Sequence, residues 1–135
     1  MKTVAKIIEL RGGLERLRDN YIRLENPPYM RLVIEHIGVG PRGMPAIAVA
    51  HYYEQNGELM RDPEMVFEVN PDSSGDWEPV SYRQDNLGMY QEAVFVDDNG
   101  KVMLRPKLVR ELKAFARQWD RNIAEQGFVK VGGGQ

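Results

Sequence analysis

The chain has 135 residues, 42% of them hydrophobic and 28% charged, with a net charge of −2 and no cysteine. Such a length suits one domain that buries roughly two-thirds of its unfolded surface, and the composition is ordinary for a globular core and does not suggest disorder. No apolar run nears the ~20 residues of a membrane-spanning helix, and without cysteine there is no disulfide framework, thiolate zinc site or Cys nucleophile.

The first residues, Met1-Lys2-Thr3-Val4, lead into an amphipathic segment and not a secretory leader, so a cytoplasmic protein is expected. The small net charge conceals a layout. Residues 1–31 carry seven Lys/Arg against four acids, residues 32–104 four against thirteen, and residues 105–135 seven against three. Basic ends therefore flank an acidic middle. That pattern fits basic helices lying beside an acidic sheet, or an interaction face.

The spacing of Val4, Ile7 and Ile8 predicts a helix from Thr3, as cap, to Arg11, closed by Gly12-Gly13. Leu14 to Asp19 adds a further short helix. Tyr21 to Glu25 then alternates, Asn26-Pro27-Pro28 interrupts, and Tyr29 to Ile37 is extended, which reads as a hairpin. A helix over 14–24, with Leu14, Leu17, Tyr21 and Leu24 on one stripe, is the competing reading.

Gly38-Val39-Gly40-Pro41-Arg42-Gly43 has the form G-x-G-x-x-G, but the dinucleotide motif needs a helix opening inside it. A strand follows here instead, so the segment is a loop with Arg42 exposed. In that strand Ile47, Val49, His51 and Tyr53 share one face. Ala46, Ala48 and Ala50 share the other with Tyr52, and such small residues suit close packing of a helix. Asn56-Gly57 is a strong hairpin turn. Leu59 to Val69 returns, with Asp62-Pro63 as punctuation, and Asn70 to Asp76 is a polar loop.

Trp77–Gln84 and Met89–Val96 form another strand pair around Asp85-Asn86-Leu87-Gly88. Both faces of the second strand are partly apolar, so it is expected inside the sheet. Asp97-Asp98-Asn99-Gly100 turns the chain into a short strand, Lys101 to Leu104. Pro106 opens a helix that carries Leu108, Leu112, Phe115, Trp119 and Ile123 to Gln126, with Gly127 at its C-terminal cap. The expected architecture is α+β: an antiparallel meander of about 5–7 strands with the long C-terminal helix and an N-terminal helix on it. Residues 1–131 make a single domain, and 132–135 a flexible glycine-rich tail.

The chemistry-bearing residues concentrate in the strand region. His51 stands near Glu54, a pairing that suits acid–base work, although a lone strand histidine usually serves the core. A metal-dependent enzyme would draw on His51 with Glu54, Asp62, Glu64 or Glu92. No known ligand spacing is present, and neither a metal nor a cofactor is expected. No serine sits in a nucleophile elbow. The tyrosines, amides and charges of His51, Tyr53, Glu54, Gln55, Tyr82, Arg83, Gln84, Asp85, Tyr90 and Glu92 make the candidate binding surface for a protein partner. Nucleic acid is disfavoured by the acidic middle. The alternative for it is the basic face of the C-terminal helix, with Arg110, Lys113, Arg117 and Arg121.

Several stretches together resemble a known family. They are Tyr29-Met30 with Leu32-Val33-Ile34-Glu35, Ala50-His51-Tyr52-Tyr53-Glu54-Gln55-Asn56-Gly57, Asp62-Pro63-Glu64-Met65 and Pro79-Val80-Ser81-Tyr82-Arg83-Gln84-Asp85-Asn86-Leu87-Gly88-Met89-Tyr90-Gln91-Glu92, with the closing helix. The chain is similar along nearly all its length to the bacterial domain of unknown function numbered 6908. That resemblance implies an accessory protein of conjugative and other mobile DNA, and carries over no functional residue. The resulting expectation is a non-enzymatic binding or accessory module.

Overall fold

In the computed structural model, which describes residues 1–71 and 77–133, a helix layer lies on one side of a six-stranded sheet. The chain opens with α1 (Lys2–Leu10) and α2 (Gly13–Asp19). The strands β1 (Ile22–Leu24), β2 (Arg31–Val39), β3 (Pro45–Gln55), β4 (Glu58–Val69), β5 (Trp77–Gln84) and β6 (Met89–Glu92) follow. All five neighbouring pairs are antiparallel, so the sheet is a meander in sequence order. A separate two-stranded sheet joins β7 (Val94–Val96) to β8 (Val102–Leu104), and α3 (Pro106–Glu125) and α4 (Phe128–Gly132) end the chain. The α+β meander expected from the sequence is present.

Strand alternation sorts the side chains into two populations. Across all six strands one row reads Ile22, Ile34, Val49, Met65, Tyr82 and Gln91. This inner face packs on Val4, Ile7 and Ile8 of α1 and on Leu112, Ala116, Trp119 and Ile123 of α3. The adjacent outer row reads Arg23, Val33, Ala50, Glu64, Arg83 and Tyr90.

Local signals explain the connections. Asn56 (φ 53°) and Gly57 (φ 83°) both adopt the left-handed conformation that a tight hairpin turn requires. Between β2 and β3 no helix begins. The turn is instead fixed by the Glu68 carboxylate, whose Oε2 accepts the N–H groups of Arg42 (2.9 Å) and Met44 (3.3 Å). A side chain on Gly40 would place its Cβ only 2.4 Å from the Glu68 Cγ, so glycine is needed there for close approach.

Several expectations are corrected. Thr3 does not cap α1 with its side chain. Its N–H, and that of Val4, point at the carboxylate of Asp120 on α3 at 3.1–3.3 Å, so the first helix is capped by the third. The alanines of β3 receive no helix; the helices lie on the opposite face, over Ile47 and Val49. Met89–Val96 is not one interior strand. It divides at Ala93, whose N–H bonds to Val80 O while its own carbonyl accepts the Arg105 N–H, leaving β6 at the sheet edge. Gly132, expected to begin the tail, is buried in α4, where its carbonyl accepts the Arg11 Nε–H at 2.7 Å. Most of the expected loop 70–76, and positions 134–135, lie outside the described residues.

Candidate functional site

On the outer face the strands bring a charged and tyrosine-bearing strip over a floor of Ala46, Ala48 and Ala50. These three are almost fully buried beneath their longer neighbours. Arg61 is the hub. Its backbone N–H and its Nε–H both donate to Asp85 Oδ2 at 2.9 Å, and its Nη1 lies 3.9 Å from Glu64 Oε1. Arg61 and Glu64 are three residues apart and would fall on opposite faces of a regular strand. A shift of register between β3 and β4, from Ala50↔Glu64 to Tyr52↔Arg61, turns both to the same side.

Next along the row, Arg83 stands opposite Glu64 and stacks its guanidinium 4.7 Å from the centre of the Tyr90 ring. Burial pushes the Glu64 carboxyl upward in pKa, with Arg61 and Arg83 pulling it back and Glu35 and Asp85 adding to the rise. Tyr52 is raised by burial and then by the Glu64 charge. Burial also acts to raise Asp85, yet the backbone and guanidinium hydrogen bonds of Arg61 and the charges of Arg61 and Arg83 bring it below its usual value. The strip therefore holds a half-buried carboxyl between two arginines, with tyrosines on either side.

Of the candidate surface residues, Arg83, Asp85, Tyr90 and Glu92 meet on this face, Glu92 in the row of Ser81 and Val66. His51, Tyr82 and Gln84 project from the inner face. The His51 ring is buried 5.7 Å from those of Trp119 and Phe128, and its Nδ1 bonds to the carbonyls of Met30 (3.1 Å) and Arg31 (3.3 Å). Burial lowers its pKa, opposed by those carbonyls and by the Asp62 charge. Tyr82 packs edge-on against Phe115 and donates to Gln84 Oε1 at 2.7 Å. Tyr53, Glu54 and Gln55 run to the far end of β3, where the Tyr53 hydroxyl lies 3.4 Å from Gln55 Oε1.

The carboxylates considered for a metal do not converge on His51. Glu64 is on the outer face and His51 on the inner, and among the described residues no group of three His, Asp or Glu is placed to hold an ion. On α3, Arg110, Arg117 and Arg121 are exposed, and Lys113 pairs with Glu78 at 3.2 Å. Among the described residues no helix is long and apolar enough to cross a membrane.

Tyr52, Arg61 and Glu64 complete the strip, and Arg61 had no signal in strict alternation. The signal that could have found it is Asp62-Pro63, since a proline inside a strand marks a bulge that reverses the facing of what precedes it. Against known families, the model for the domain of unknown function DUF6908 matches residues 2–129. Neither the curated proteins nor the solved structures give a match.

Proposed function

The chain belongs to this family of unknown function, and from that premise we propose that it is a non-enzymatic binding module whose partner is a protein seated on the outer face of the sheet. The observation that carries the reading is the Tyr52–Arg61–Glu64–Arg83–Tyr90 strip, on the side opposite the α-helix layer. Tyrosine and arginine concentrate at protein interfaces because they offer large contact area with few rotamers to freeze and a polar end to satisfy. Arg61 and Arg83 are already held by Asp85 and Tyr90, so less ordering remains to be done on binding. Glu35, Glu64, Asp85 and Glu92 surround Arg61 and Arg83, and the other two arginines of this face, Arg23 and Arg31, are both paired with Glu25, which favours a protein over a phosphate backbone. The setting implied by the family resemblance, an accessory role on mobile DNA in the cytoplasm, belongs to the same proposal.

A photoreactive phenylalanine analogue at Tyr90, irradiated in cells, tests it. A discrete protein adduct is expected, and its yield falls by roughly fivefold or more with Tyr52→Ala or Arg83→Glu, as for central interface residues. No adduct, or one indifferent to both substitutions, removes this face as the binding surface.

A further inference from the structure

Strand β8 is an anomaly of a different kind. It is bonded to β7 alone, so its other edge has no strand partner among the described residues. All three of its side chains are apolar and exposed: Val102 (39%), Met103 (37%) and Leu104 (49%), with Val96 (49%) opposite Val102. A two-stranded ribbon is marginal by itself, and an open edge carrying apolar side chains is a template for another strand.

The flanking charges say which strand. Lys101 and Arg105 bracket the apolar run. Neither carboxylate of the hairpin turn pairs with Lys101: Asp97 is turned inward, its Oδ1 accepting the N–H groups of Asn99 and Lys101, and the exposed Asp98 forms no ion pair with it among the described residues. Arg105 stacks 4.3 Å over Phe95 and donates to the carbonyl of Glu92, a neutral acceptor that leaves its charge uncompensated. A second copy of the chain is the wrong occupant. Antiparallel pairing centred on Met103 sets Lys101 against the Arg105 of the other copy, and parallel in-register pairing sets each cation against its equal.

We propose that the free edge of β8 receives an extended peptide of a partner protein as a third strand, one whose apolar residues are bracketed by acidic ones. Main-chain hydrogen bonds along the edge provide the attachment. Val96, Val102 and Leu104 receive the apolar side chains, and Lys101 and Arg105 fix the register through the terminal carboxylates. This edge adjoins the outer face of the six-stranded sheet at Glu92, whose carbonyl accepts from Arg105, but the proposal does not rest on that face.

The test uses the whole chain, isotope-labelled, titrated with the synthetic peptide Asp-Val-Thr-Val-Asp and its counterpart Lys-Val-Thr-Val-Lys while amide shifts are followed. The acidic peptide is expected to move the signals of Val102 to Leu104, and to bind roughly tenfold tighter than the basic one at low salt. Lys101→Glu, at an exposed turn position, narrows or inverts that preference while the remaining spectrum is unchanged. Sedimentation finds a monomer throughout. Equal binding of the two peptides, no response of β8 to either, an unaltered preference in Lys101→Glu, or a dimer that Met103→Lys dissolves would each overturn the proposal.

Discussion

At the scale of single residues, carboxylates that take up backbone N–H groups do the positioning. Asp120 is the clearest instance. Its carboxylate satisfies two N–H groups at the start of α1 that no intrahelical carbonyl can reach, and brings negative charge to the positive end of the helix dipole. Asp120→Ala is expected to lower stability by about 1 kcal/mol, the usual cost of a lost N-terminal cap, in denaturant melts. Asp120→Asn, which keeps an acceptor oxygen, should recover part of that loss. An Ala variant as stable as the parent would show that Asp120 does not cap the helix. Glu68 has a comparable task in the β2–β3 turn, where one carboxylate oxygen holds two backbone N–H groups. Neither role is visible in a linear pattern, because the partners of Asp120 are more than a hundred residues away.

Among the elements, the helices and hairpin turns were the legible part. The 3.6-residue spacing of Leu112, Trp119 and Ile123 follows directly from the need to bury one stripe, and Asn56-Gly57 announces a turn that few other residues tolerate. What the sequence hid was the partner of each strand. Met89–Val96 is partly apolar on both faces, which suggests an interior strand, yet the chain changes partner at Ala93 and uses the two halves in different sheets. The candidate site was half legible for the same reason. Period-two alternation separates Arg83 from Tyr82, but the register shift before Glu64 brings Arg61 into the strip against that period. An element-level expectation follows for amide hydrogen exchange. Val102 to Leu104, on a three-residue strand at an open edge, should exchange at least about a hundredfold faster than Val49 and Met65, which sit in the fully buried centre of the sheet. Comparable protection in the two places would mean that the hairpin is covered in solution.

For the whole molecule, the two layers meet through a core whose one histidine is buried between them. The pKa of His51 is lowered, mainly by burial, so its charged form is disfavoured in the folded state. Above about pH 6.5 the ring is neutral both folded and unfolded and costs nothing. As pH falls below that value the unfolded chain takes up a proton that the folded chain does not, and stability declines until the folded ring also titrates. Melting temperatures should therefore drop as pH falls below about 6.5, and His51→Gln should flatten that limb while lowering stability at neutral pH through loss of packing on Trp119 and Phe128. A variant with the parent's acid profile would assign the effect to the carboxylates. The link between Thr3 and Asp120, 117 positions apart, also bears on biosynthesis. The opening helix leaves the ribosome long before the residue that seats its amino end has been translated. The meander can pair strand by strand during elongation, but its greasy side stays open until α3 has been translated and closes over it.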